Sequence, residues 1–201
     1  GVLSAFIRSE RGQERGLIPY IQMKLMREVR DVPRETMDQL FDFIGNELLP
    51  ALTVCREGLL TVFGVLRTYT AERCGQIGRD VKWRLTEEVL ADPVLREIHA
   101  TQVLPVAKEI LEAAQLCQSL HDKLSRLFPP SEARESPLTT ELIQLNAYGA
   151  RLARMSSALA EGTNAELAPN TVRWIEIDAH NDRHFRMARC PLDVAESLAE
   201  W

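Results

Sequence analysis

The chain has 201 residues, 45% hydrophobic and 26% charged, with a formal net charge of −5. This balance excludes a disordered chain and suits one domain, or one domain with a small annex. No uninterrupted run reaches the roughly 18 apolar residues that cross a bilayer and no signal-peptide pattern opens the sequence, so no membrane partner and a cytoplasmic location are expected.

In chain order, residues 2–7 read as a short helix and 9–16 as a polar loop. Ile18, Ile21, Leu25 and Val29 share one stripe and predict a helix over 18–29. Asp31 is placed to cap the next helix, with Pro33 in its first turn. That helix runs to about Cys74 on a stripe of Leu40, Phe41, Ile44, Leu48, Leu52, Leu59, Val62, Phe63 and Leu66. Pro50 should kink or break it near 46–50, because a proline inside a helix loses a hydrogen bond and clashes with the preceding turn. Gly75 and Gly78 are expected as its C-cap and turn. A shorter helix is expected over 79–90, and Asp92-Pro93 restarts the next one with a cap and a first-turn proline.

The cleanest pattern follows. Val103, Ala107, Ile110, Ala114, Cys117, Leu120, Leu124 and Leu127 repeat at four-three spacing, and Pro105 should bend the start of that helix. After a loop, Leu138, Leu142, Leu145, Gly149, Leu152, Ser156 and Leu159 repeat in the same way until Gly162. Two such seams joined by a short loop predict an antiparallel helical hairpin, each arm about 37 Å long. Gly149 and Ser156 would let its backbones approach closely. The last segment changes character: 171–177 and 184–190 are strand-forming runs around the polar turn 178–182, and a further helix should begin at Asp193. The expected fold class is mainly α, an elongated, arch-like antiparallel helical bundle with a small C-terminal β-hairpin.

Chemistry-bearing motifs are sparse. There is no Gly-x-x-x-x-Gly-Lys-Ser/Thr phosphate loop and no Asp-Glu-Ala-His box, so these residues by themselves should not hydrolyse ATP, and no catalytic residue is assigned. Cys55, Cys74, Cys117 and Cys190 have no metal-ligand spacing and read as free buried thiols; no cofactor or metal is expected within these residues. His180 and His184, with Asp178 and Asp182, form the only local cluster of metal-like chemistry, yet turns collect Asp for backbone reasons alone. The basic residues are 20 Arg against 4 Lys. Arginine forks onto phosphate and stacks on bases, although a GC-rich genome enriches it equally well. Trp174 would stack on a base or, as the preferred reading, pack onto a neighbouring helix, since an isolated hairpin is barely stable. Tyr69, Trp83 and Tyr148 read as ordinary helix-face residues.

The order of these features resembles one segment of the XPD/DinG-type DNA helicases of superfamily 2. The residues that carry the likeness are Gly16-Leu-Ile-Pro-Tyr20, the Trp174-Ile-Glu176 strand and the Pro191-Leu-Asp-Val194 turn, with the long helical insert between the first and second. In that family such a segment lies between the Asp-Glu-Ala-His box and the Thr-Ser-Ala-Thr-Leu motif, and Gly1 in place of an initiator Met fits a piece of a larger protein. The resemblance implies a root segment leaving the motor domain (1–30), a helical arch-like insert (31–162) and a hairpin with a short helix returning to it (163–201). It implies a parent that unwinds DNA 5′ to 3′ in repair or replication with ATP and Mg, in many members with an iron–sulfur cluster bound outside this segment. The fragment's share would be to guide or separate strands of single-stranded or forked DNA, or to bind a protein regulator. Arg8, Arg11, Arg15, Lys24, Arg27 and Arg30 at the root, and Arg151 and Arg154 on the last long helix, would then face phosphates. The alternative is a free-standing helical protein-interaction module; a helical small-molecule sensor is a third reading.

Overall fold

The computed structural model describes residues 2–6, 8–10, 13–28, 32–75, 80–129, 137–166, 171–178 and 185–191. The fold is mainly helical with a small antiparallel sheet of three strands. Helix α1 (Val2–Phe6) precedes strands β1 (Arg8–Glu10) and β2 (Gln13–Arg15), then helices α2 (Leu17–Glu28), α3 (Arg34–Phe43) and α4 (Leu49–Cys74). Strand β3 (Val81–Arg84), helices α5 (Glu87–Leu90), α6 (Pro93–Ile98), α7 (Leu104–Leu127) and α8 (Thr139–Gly162), and strands β4 (Thr171–Ile177) and β5 (Phe185–Pro191) complete the order. The helix expected from Asp193, and Asp31 as a cap, lie outside the described residues. Pro33 itself occupies the N-cap position of α3, without a side-chain cap bond.

Pro50 does not break its helix. Residues Ile44–Leu48 form a π turn that joins α3 to α4 into one continuous helix of 41 residues, Arg34–Cys74. The Leu49 amide donates five residues back, to the Ile44 carbonyl. Widening the turn relieves the clash that the proline ring would make with the carbonyl four residues back. Pro105 is accommodated identically: His99–Val103 is a π turn, and Leu104 donates to the His99 carbonyl. The Arg34–Cys74 helix is long and apolar enough to cross a membrane by length and composition, with a window of mean hydropathy 1.5. Arg56 and Glu57 interrupt its middle, and Leu52, Cys55, Leu59, Val62 and Leu66 face the protein interior.

Two expectations need correction. Residues 79–90 are not one helix: β3 comes first, and Thr86 then caps α5 by accepting a hydrogen bond from the Val89 amide. The alternation Val81-Lys-Trp-Arg84 is a strand pattern, and its apolar members sit on the covered side. Residues 9–16 are not merely a loop, since β1 and β2 pair antiparallel with Arg8 opposite Arg15 and Glu10 opposite Gln13. A ribbon this short and polar has no alternation to betray it. Gly16, at φ 131°, makes the exit into α2 in a conformation that side chains resist.

The chain divides into two compact units: Gly1–Glu57 with Lys108–Ser156, and Gly58–Ala107 with Ser157–Trp201. In the first, Ile18, Ile21 and Leu25 of α2 are buried with Ile44, Leu48, Leu120 and Leu124. Phe6 meets the Tyr148 ring edge-on at 5.4 Å. Lys24 bonds the Pro137 carbonyl at 3.0 Å and pairs with Glu141 at 3.0 Å, tying α2 to the first turn of α8. A carboxylate there also suits the positive end of the helix. Arms α7 and α8 run antiparallel: Ala114 and Cys117 lie against Gly149, while His121 and Ser125 share a groove with Leu142 and Asn146. A β-carbon at Gly149 would lie 3.3 Å from Cβ of Cys117, so glycine is what allows this approach. Both seams are buried apart from Leu127 and Leu142, which are half-buried.

In the second unit the sheet order is β3-β4-β5, both pairs antiparallel. Its core is built from Leu66, Leu90, Leu95 and Ile175. Asp92 caps α6 by accepting from the Val94 amide at 2.8 Å and is paired with Arg73 of α4. Tyr69, one turn away, joins that cluster, and burial followed by the nearby Asp92 charge pushes its hydroxyl up to about 12. Gly75 ends α4 at φ 61°, as expected of a C-cap glycine.

Candidate nucleic-acid interface

Alternation along a strand divides the sheet into two faces. On β4, Arg173, Ile175 and Ile177 are buried, whereas Val172, Trp174 and Glu176 are half-buried on the opposite side. The register sets Phe185, Met187 and Arg189 of β5 on the covered face with them, along with Val81 and Trp83 of β3. Phe185 stacks on Phe63 of α4 at 5.1 Å, Trp83 tilts over Tyr69 at 5.9 Å, and the Met187 methyl reaches Gly162 at the end of α8. Trp83 thus packs against Tyr69 of α4, and the register places Trp174 on the other face of the sheet, half-buried.

Arg173 points inward as well. It is 6% exposed, and its guanidinium donates to the carbonyls of Asn164 at 3.0 Å and Glu166 at 2.9 Å. Burial lowers its pKa, with Glu161 opposing and Arg189 adding to that effect. This arginine clamps the connection from α8 to β4. Beside it, His99 at the start of the second π turn lies 2.9 Å, Nδ1 to Oγ1, from buried Thr163, and burial lowers the imidazole pKa.

The outward face collects Lys82 and Arg84 from β3, Trp174 and Glu176 from β4, and Arg186, Ala188 and Cys190 from β5. Trp174 is central, with Arg84 directly opposite on one side and Ala188 on the other. Its Nε1 donates to Glu176 at 2.7 Å. Lys82 Nζ lies 3.1 Å from the same carboxylate and 5.1 Å from the Trp174 ring centre, and Arg186 approaches the carboxylate at 3.5 Å. The Trp174 N–H first, then the Lys82 bond and the charges of Lys82 and Arg186, hold the Glu176 carboxyl below its ordinary range. Lys82, Arg84 and Arg186 are all exposed. Three cations and one carboxylate surround one indole. Lys82, Arg84 and Arg186 escaped notice in the sequence, although the Val81-Lys-Trp-Arg84 alternation was the signal that would have found two of them.

The basic residues singled out from the sequence all belong to the first unit. Arg8 and Arg15 sit opposite each other in the β1–β2 pair, and Arg15 is exposed; Arg27 is exposed in the last turn of α2. Lys24 is 19% exposed and committed to Glu141 and the Pro137 carbonyl. Arg151 and Arg154 are exposed on α8. Arg11 and Arg30 lie outside the described residues, as do His180, Asp182 and His184 of the C-terminal turn; Asp178 is half-buried. Of the four free cysteines, Cys55 and Cys117 are buried, with thiols pushed up to about 11 and about 12 chiefly by burial, and Cys74 is half-buried. Cys190 is exposed on the outward face, which corrects its reading as a buried thiol. Among the described residues no group of three or more His, Cys, Asp or Glu is arranged to hold a metal ion. Neither a protein-family model, nor a curated protein, nor a solved structure matches the chain.

Proposed function

We propose that the chain is the arch-like helical segment of an ATP-dependent 5′-to-3′ DNA helicase of the XPD/DinG type, guiding or separating strands rather than catalysing a reaction. The observation that supports this most is the pairing of Thr171–Ile177 with Phe185–Pro191 next to the Pro191-Leu-Asp-Val194 sequence, after a long helical stretch. A strand pair entered from helices suits a segment that leaves a motor sheet and returns to it. ATP and Mg would be held by parts of the parent outside these residues, as would any iron–sulfur cluster. Exposed Arg27, Arg151 and Arg154 would supply phosphate contacts, which position a strand without reading its sequence. Lys24 contributes mainly to holding α2 on α8.

The decisive experiment is to read the coding sequence on both sides and assay the whole polypeptide. A phosphate loop upstream, Thr-Ser-Ala-Thr-Leu downstream and DNA-stimulated ATP hydrolysis are the expected result, with no hydrolysis by the 201-residue chain alone. An open reading frame without either motif would remove the helicase reading. A second reading, the free-standing helical interaction module, draws on a groove of about 440 Å³ between α7 and α8, where Ile143 is 66% exposed beside Phe128 and Leu142. It would prevail if the frame lacked motor motifs.

A further inference from the structure

We propose that the outward face of the β3-β4-β5 sheet, centred on Trp174, is a stacking platform for single-stranded DNA. The choice of nucleic acid as occupant rests on the helicase reading, while the surface rests on the sheet itself. Three observations point to it. First, a half-buried indole stands in the middle strand, on the side opposite Phe63 and Tyr69 of α4. Second, exposed Lys82, Arg84 and Arg186 flank it on both neighbouring strands, at a spacing between strands of roughly 5 Å, so phosphates on either side of a stacked base would find a cation. Third, Glu176 accepts the indole N–H at 2.7 Å and so fixes the rotation of the ring, while its charge is matched by Lys82 and Arg186. The face then keeps an excess of two positive charges, which complements a polyanion, and the indole favours one whose units carry π faces over an acidic polypeptide. Aromatic platforms on sheets with basic surrounds bind single strands with little sequence preference, because every base has a π face.

Lys82 lies over the ring, 5.1 Å from its centre. Its side chain is 68% exposed, so its ammonium is free to swing from the ring to a phosphate. An exposed cation–π contact is worth a factor of about 2 to 5 in an equilibrium. Stacking of a base is worth on the order of 5- to 100-fold. The exchange favours the base, and the ammonium keeps an anionic partner throughout. Glu176 acts here as a positioning residue for the indole.

The test uses the 201-residue chain, a fluorescein-labelled 15-nucleotide oligodeoxythymidylate and low salt, read by anisotropy and by tryptophan emission. Binding should quench tryptophan emission. Trp174→Ala should weaken binding by at least about fivefold. Trp174→Phe, which retains a ring, should bind within about threefold of the parent but lose most of the quench. Replacing Lys82, Arg84 and Arg186 together by Ala should weaken binding and flatten the salt dependence by about 2 units in the log–log slope, at ~0.7 per phosphate contact on a single strand. Circular dichroism establishes that each variant is folded, and Trp174→Phe serves if Trp174→Ala is not. Absence of binding, binding unaffected by these substitutions, or competition by polyglutamate as effective as by unlabelled oligonucleotide would each overturn the proposal. Any of these results leaves the helicase reading standing, because that reading is decided by the motor motifs and ATP hydrolysis of the parent. Loss of the motor motifs would leave this binding measurement unchanged.

Discussion

The two faces of the three-stranded sheet come from the same strands, yet their side chains answer to different demands. Inward, Trp83, Phe185, Met187 and Ile175 meet helices, and the one charged residue fully enclosed there, Arg173, is satisfied by two backbone carbonyls. Outward, Trp174 has charged neighbours whose cations reach solvent. A charged group can be buried only when its hydrogen bonds are supplied, whereas an exposed one asks for nothing. Trp174 is half-buried like Trp83, but its recorded neighbours are charged side chains where those of Trp83 are aromatic. The inner face therefore accounts for stability, and the outer face is where binding is to be sought.

The largest expected effect comes from breaking the inner face at its polar point. Arg173→Ala should cost about 4 kcal/mol, since it removes two charge-assisted bonds and leaves the Asn164 and Glu166 carbonyls short of a donor. Arg173→Lys should recover little, because one ammonium does not reproduce the fork; urea unfolding measures both. Trp83→Ala should follow at about 2 to 3 kcal/mol, discounted from the usual aromatic deletion because the ring is half-buried. Equal losses from Trp83→Ala and Trp174→Ala would dissolve the distinction between the faces.

His99 sharpens the comparison through pH. Burial lowers its folded pKa from 6.5, so below that pH the unfolded chain takes up a proton that the folded chain refuses. Stability is therefore complete above about 6.5 and declines as pH falls from there toward the folded pKa. The His99→Gln variant should lack that decline in denaturant titrations on either side of that pH. On the outer face, Trp174→Ala should cost about 1 to 2 kcal/mol, less than Trp83→Ala because its ring meets the flexible Lys82 side chain where Trp83 meets the Tyr69 ring. Glu176→Gln should lower the midpoint slightly at neutral pH, where the charged carboxylate is held by the Trp174 N–H, Lys82 and Arg186. Its folded pKa is lowered, so its contribution is present above the unfolded carboxyl pKa near 4.5 and disappears as pH falls through the folded value. A Glu176→Gln midpoint that matches the parent at neutral pH and departs from it only in acid would contradict this assignment.

The seams of α7 and α8, the cap at Asp92, the C-cap at Gly75 and the β4–β5 pair were legible because each depends on residues near one another in sequence. The two Leu-Pro steps show where such legibility ends. Leu49-Pro50 and Leu104-Pro105 announce a disturbance, but a kink and a π turn satisfy a proline equally well from the local chain. Packing chose the π turn at both, keeping Leu48 and Val103 buried on the core side of an unbroken helix. The turns then diverge: Gly45 of the first has nothing near it, and His99 of the second bonds Thr163 across 64 positions.

By itself the sequence determined a mainly helical fold ending in paired strands, because hydrophobic periods of 3.6 and 2 are local properties of the chain. It also determined the absence, in these residues, of the motifs that hydrolyse ATP. Only the tertiary structure decided that Val81–Arg84 is a strand, since four residues gain stability as a strand only when β4 offers them an edge. That single pairing, together with the register of β5, sent Trp83 inward and Trp174 outward. A shift of one residue in the β3–β4 register would have put both indoles on one face, because side chains in a strand alternate and nothing short of the partner strand specifies which face is covered.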